Sequence, residues 1–179
     1  MRSKLVGAVI AGLALVVGSA TAASAEDTIV TVTVTAPDGL AITVPATANI
    51  GAGVPGSTVS GQLGAVTVSD QRAALNASWN TTVIATDLTT GGGTPAETIP
   101  NINILHWSGT ATSTTGNGTF TPGQETPAEA EIINVPRTAF SLSGGNGVNS
   151  ATWNPTIVVN IPSTAIAGTY TGTVTHSVL

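Results

Sequence analysis

Cysteine is absent from this 179-residue chain, which excludes disulfides, thiolate-ligated metals and thiol redox chemistry, so stability must come from burial and hydrogen bonding. Charge is also scarce: Lys and Arg number four and Asp and Glu nine, 7% of all residues. Arg2 and Lys4 lie at the extreme N-terminus, so beyond residue 25 two arginines, Arg72 and Arg137, face nine acids, for a net charge of −7 with no lysine. Such a chain has no basic patch to release counterions from phosphates or to attract anionic lipids, which excludes nucleic-acid binding as an expected function. Long apolar runs are missing too. The longest, Leu5 to Val17, has 13 residues, short of the roughly 20 that a bilayer core requires.

That run follows Arg2 and Lys4, turns small and polar, and ends Ala23-Ser24-Ala25. These are the parts of a secretory signal peptide (1–25) with an A-x-A cleavage site, leaving Glu26 as the expected mature start and no membrane insertion after cleavage. The remaining 154 residues, 26–179, suffice for one domain burying about 70% of its unfolded surface.

What the chain has in plenty is alternation. In Ile29 to Thr35, Val30, Val32 and Val34 share one parity and Thr31, Thr33 and Thr35 the other, the pattern of a half-buried strand. Comparable runs are Leu40–Val44, Leu63–Val68, Ser78–Leu88, Ile99–Trp107, Glu131–Leu142, Trp153–Ile161 and Thr169–Val178. Turn chemistry separates them at Asp38-Gly39, Gly51 to Gly61, Gly91-Gly92-Gly93, Ser143 to Asn149 with its Asn146-Gly147, and Pro162. About eight or more short strands without helical periodicity predict an all-β, antiparallel, Ig-like β-sandwich. The segment Ser108 to Ala130, rich in Thr, Gly, Pro and Glu, reads as a long surface loop that is mobile, functional, or hides a hairpin around Gly118 to Thr121.

Catalytic and cofactor signals are weak. Gly51-Ala-Gly-Val-Pro-Gly56 has the letters of a dinucleotide fingerprint, but Pro55 removes an amide and no helix follows to meet a pyrophosphate. No G-x-S-x-G elbow occurs, His106 and His176 sit singly within strand patterns, and the acids have neither zinc nor calcium spacing. No enzyme activity, cofactor or metal is expected. Asn76, Asn80 and Asn117 begin glycosylation sequons, which matter only in a eukaryotic host.

The six aromatics are more informative. Trp153 shares parity with Ile157, Val159 and Ile161, which predicts a core position. Trp79 has apolar residues at both parities around it, so core packing and ligand contact both stay open. Asp70 and Arg72, two apart, fall on one strand face and can form a structural pair, with the guanidinium stacked on an indole to hold a strand turn.

Leu63-Gly-Ala-Val-Thr-Val-Ser-Asp-Gln-Arg72, Trp79-Asn-Thr-Thr-Val83 and Gly168-Thr-Tyr-Thr-Gly-Thr-Val-Thr-His-Ser-Val178 together resemble a divergent WxL surface domain of Gram-positive bacteria. In that family V-x-D-x-R leads to a first Trp-x-Leu motif, and a C-terminal strand carries a second. Here Thr81 replaces the first leucine and His176-Ser177-Val178 replaces the second motif. The resemblance implies a secreted, cell-surface protein attached non-covalently to the cell wall. Its expected partner is peptidoglycan or another wall glycan, with Trp79, Thr81, Trp107, His176 and Val178 as candidate binding residues. The alternative is a structural or adhesive surface subunit that meets other surface proteins through strand edges.

Overall fold

The computed structural model describes residues 29–35 and 39–179. The expected signal peptide and Asp38 of the expected Asp38-Gly39 turn lie outside the described residues.

The architecture is all-β and antiparallel, as alternation predicts. In chain order the strands are β1 (Leu40–Thr43), β2 (Thr58–Gln62), β3 (Val66–Ala85), β4 (Leu88–Thr89), β5 (Thr98–Ile99), β6 (Ile104–Trp107), β7 (Ala111–Thr115), β8 (Thr119–Pro122), β9 (Glu131–Ile132), β10 (Arg137–Trp153), β11 (Thr156–Asn160) and β12 (Val174–Val178). A six-stranded sheet is built on the long pair β3–β10, with β1 and β12 both on the free edge of β3 and β7 and β8 both on the free edge of β10. A four-stranded sheet, ordered β2-β11-β6-β9, forms the second layer, and β4–β5 is a small separate ribbon. Among the described residues no helix is long and apolar enough to cross a membrane.

Two expected strands, Leu63–Val68 and Ser78–Leu88, are joined for most of their length in one continuous 20-residue strand, β3, while Leu88 begins β4. Likewise the turn expected at Ser143 to Asn149 lies inside the 17-residue β10. Both strands run through a kink. Buried residues of β3 have even numbers before it (Val66, Val68, Asp70) and odd numbers after it (Ala77, Trp79, Thr81, Val83, Ala85). In β10 the change is from Phe140 and Leu142 to Asn149, Ala151 and Trp153. An irregular stretch of backbone permits this change, because a strand's side chains otherwise alternate strictly. Ala73 and Asn76 in β3 and Gly144 and Gly147 in β10 all take positive φ there, and the register breaks between Leu142 and Asn149.

The segment 108–130 crosses the same line. It holds no hairpin: β7 and β8 do not pair with each other but lie in succession along β10, interrupted at Gly116-Asn117-Gly118. Gly118 has φ 116°, and a Cβ there would come within 2.7 Å of Leu142 Cδ1, so only glycine fits. Asparagines stitch across the break. The Asn146 N–H donates to Asn117 Oδ1 at 2.7 Å, and the Asn76 N–H donates to Asn146 Oδ1 at 3.1 Å.

Beneath that exposed row lies a buried one. Asp70 is fully buried and receives a two-pronged contact from Arg72, Nε to Oδ1 and Nη2 to Oδ2, each 2.8 Å. The same Nη2 donates to the Ser78 carbonyl at 2.7 Å and so ties the two ends of the β3 kink together. Asn149 of β10 donates to Asp70 Oδ2 at 3.3 Å and accepts the Trp79 indole N–H at 2.9 Å. The expected Asp70–Arg72 pair therefore exists and holds a strand irregularity. The indole's polar partner is Asn149, while its ring packs against Phe120 and Phe140, centroids 6.4 and 6.5 Å away, in place of the expected guanidinium stacking. Phe140 stacks in turn on Trp153 at 4.8 Å.

Trp153 is fully buried, as its parity predicts, but it ends β10, and the chain changes sheets through Asn154 and Pro155 before β11 begins. Other boundaries shift for local reasons. Pro100 and the turn Asn101–Asn103 shorten the strand expected at Ile99–Trp107, and β2 enters the stretch expected to be turn at Gly51 to Gly61. Ile29–Thr35, expected as a half-buried strand, belongs to no strand among the described residues, with Val30, Val32 and Val34 at 80, 79 and 82% exposure. It has the pattern of a strand without the pairing of one.

Removing the guanidinium leaves a buried carboxylate unpaired. Arg72→Ala is expected to lower the free energy of unfolding at neutral pH by about 2 to 3 kcal/mol, less than for a fully buried pair because Arg72 keeps 37% of its side chain in solvent. Arg72 holds the Asp70 pKa below its ordinary 3.8, so this stabilisation is complete above that value and is lost as pH falls through the lowered one. Urea unfolding of both chains across that range should show the difference shrinking at the acid end.

Candidate functional site

The side chains best suited to proton transfer are in the interior. His106 on β6 is fully buried and His176 on β12 is 8% exposed, and the rings meet edge to face between the two sheets with centroids 5.8 Å apart. Gln124 orients His106. Its Nε2 donates to the Thr138 carbonyl at 2.9 Å, so its Oε1 faces His106 Nδ1 at 3.0 Å as an acceptor, which places the ring proton on Nδ1. Gln124 is itself fixed by Ser108, whose hydroxyl donates to the Gln124 carbonyl at 2.8 Å and accepts the Gln124 N–H at 3.1 Å. His106 Nε2 and both His176 nitrogens have no hydrogen-bond partner among the described residues. Burial pushes both pKa values down to about 4, and for His176 the neighbouring His106 adds to the depression. Both rings are neutral at pH 7, and neither bonds a hydroxyl that it could activate.

Four of the five candidate binding residues face the core. Trp79 and Thr81 are 3 and 0% exposed, with the Thr81 hydroxyl donating to the Phe140 carbonyl at 2.9 Å, and His176 and Val178 share the inward parity of β12. The parity change in β3 is what turns Trp79 and Thr81 inward, so these two meet core side chains and backbone. Trp107 is different. Ile104 and His106 point into the core, so Leu105 and Trp107 lie on the outer face of the four-stranded sheet, half-buried beside Val158 and Thr156 of β11. Among the described residues no cluster of three or more His, Asp or Glu is placed to hold a metal.

A different site emerges at the side of the sandwich. A groove of about 1010 Å³ opens onto side chains of the hydrophobic core, including Leu63, Leu88, Ile99, Ile104, Ile157 and Ile161. Among the described residues, none that lines it is charged. One rim is the stretch 165–174, tied down by Tyr170, whose single hydroxyl proton is shared between the Ala96 and Ile166 carbonyls at 3.0 and 2.9 Å, and by a two-bond bridge between Thr89 and Thr171. The other rim, 44–55, is held by packing. Ile50 lies against Gly61, where a Cβ would sit 2.8 Å from the Ile50 carbonyl oxygen, and Gly53 lies against Val59 and Ile161.

Among the described residues, the only hydrogen bond within 44–53 is the one that the Gly51 N–H donates to Asn49 Oδ1 at 3.0 Å. Next to the groove, β2 and β12 each pair on one side only. Apolar walls, unpaired strand edges and a rim with free backbone groups together suit an extended peptide, which supplies main-chain hydrogen bonds and alternate side chains. Sequence reading missed this groove because its walls come from strands and loops far apart in the chain, joined only by the fold. Compared with known proteins, the chain matches no family model and no curated sequence.

The buried rings make the fold sensitive to acid. Because each folded-state pKa lies near 4 and the unfolded value near 6.5, stability is full above 6.5 and falls as pH drops towards 4, by about 3 kcal/mol per ring at most. This window lies above that of Asp70. In thermal unfolding followed by circular dichroism, replacing both histidines with leucine should flatten the loss between pH 6.5 and 4 and leave the Asp70 loss at lower pH.

Proposed function

We propose that this chain is a secreted, non-catalytic surface module that works by capturing an extended polypeptide strand, as an adhesive or structural subunit. The observation that carries this reading is the uncharged apolar groove with unpaired strand edges beside it. Burial of both histidines in the core supports a binding role over a catalytic one, since a substrate has no access to either ring. The resemblance to the WxL surface domain adds the outer cell wall as the place of work, reached through the signal peptide.

A second reading, attachment to peptidoglycan or another wall glycan, is favoured by Trp107. Its half-buried indole on the outer sheet face, flanked by Leu105 and Val158, offers the flat apolar surface on which a sugar ring stacks. With a net charge of −7 beyond residue 25, such contacts would be stacking and hydrogen bonds instead of ion pairs.

Two measurements test these readings. Selection of displayed extended peptides on the purified, exported protein should enrich sequences that alternate apolar and uncharged polar residues, and bound peptide should slow amide exchange in β2, β12 or 44–53. Failure to enrich any peptide, together with no protection at those edges, overturns strand capture. For the glycan reading, sedimentation with insoluble peptidoglycan should carry the folded protein down and protect Trp107 from a neutral quencher. Full recovery in the supernatant overturns it.

A further inference from the structure

Ile29–Thr35 is the most conspicuous unpartnered feature among the described residues. It belongs to no sheet and exposes Ile29, Val30, Val32 and Val34 at 92, 80, 79 and 82%. Four large β-branched side chains in water on one seven-residue stretch form an interaction-prone strand that nothing blunts: it has no charge, no proline and no glycine. The groove is its counterpart in shape and chemistry. It is apolar, uncharged and bordered by five-residue strands with open edges.

We propose that the groove's occupant is Ile29–Thr35 of a second copy of this chain, added as a strand so that copies join head to tail. The inference rests on the strand-capture reading and names its ligand. Three features point to this occupant. Period-two alternation places Val30, Val32 and Val34 on one side of the inserted strand, facing the groove's aliphatic walls, while Thr31, Thr33 and Thr35 face outward. Neither the segment nor the described residues that line the groove carry charge, so the contact itself sets no like charges face to face. The amides and carbonyls of 44–53 and the open edge of β12 supply the main-chain partners that the segment lacks. Segment and groove are different surfaces of one molecule. Such a contact is heterologous, so it propagates as an open chain of subunits unless the rotation between copies closes a ring. On the signal-peptide reading of residues 1–25, this segment falls near the start of the exported chain.

Light scattering after size exclusion, over a wide range of concentration, tests this with the exported protein. The wild type should grow in mass with concentration. Val32→Asp should weaken association about tenfold or more with an unchanged melting temperature, and its intact groove should still bind a labelled synthetic Ile29–Thr35 peptide. The same peptide in excess should stop wild-type growth. A wild type that stays monomeric and does not bind the peptide overturns the proposal, as does an assembly that Val32→Asp leaves unchanged. A drop in melting temperature without a change in mass also overturns it, since the segment then pairs within its own chain. If the groove binds other alternating peptides but not this one, strand capture stands and this inference falls. If it binds none, both fall.

Discussion

A carboxylate buried away from water is the constraint around which this fold is arranged. Asp70 has no exposure, so its charge must be met by donors held in place, and Arg72, the Arg72 amide and Asn149 supply them. Each donor belongs to a piece of backbone that would otherwise be free to relax. Arg72 also grips the Ser78 carbonyl, and Asn149 also grips Trp79. The irregular stretch of β3 is thereby locked to the matching stretch of β10, at a place where two non-glycine residues, Ala73 and Asn76, hold positive φ. Strain of this kind persists only where surrounding contacts over-determine it.

Everything downstream depends on the parity change made at that line. Without it, the second half of β3 would turn Trp79, Thr81 and Val83 to solvent and bring Ser78, Asn80 and Thr82 inward. With it, Phe120, Trp79, Phe140 and Trp153 form one run of aromatic contacts along the six-stranded sheet. The later half of β3 can then carry β12, which brings His176 against His106 of the opposite sheet. The edge of β3 is shared between β1 and β12 instead of being covered by one strand. The groove is lined in part by the segments that follow β1 and precede β12.

Much of this was legible in the sequence, and the exceptions have physical causes. Strict alternation of Val and Thr marked the all-β class, and the shared parity around Trp153 marked it as core. The same rule fails across a kink. Ser143 to Asn149, with its Asn146-Gly147, carries the chemistry of a hairpin turn, because positive φ is what such a turn needs. The positive φ of Gly144 and Gly147 here serves a bulge inside a continuous strand. Around Gly118 to Thr121, where a hairpin was one of three readings, an edge column is merely interrupted. The Asp70–Arg72 pair was readable from spacing, but its third and fourth members, Asn149 and Ser78, were not, since Asn149 is 79 positions from Asp70. Ile29–Thr35 shows the limit of pattern reading: alternation states which face a strand will bury, but not whether a partner is present to bury it.

The distribution of charge bears on the kind of contact such a surface can make. Asp87, Glu97, Glu125, Glu129 and Glu131 lie on the small ribbon, its neighbouring turns and the stretch before β10, and none lines the groove. In the proposed contact between copies the neutral Val/Thr segment would meet the neutral groove at short range, while repulsion from these acids would act at longer range and be screened by salt. Affinity at such a contact comes from apolar burial and main-chain pairing, and specificity comes from register, because a slip of one residue turns every valine outward. A chain with two arginines and no lysine after residue 25 has few charges with which to choose partners. Alternation is the recognition code that its composition leaves available.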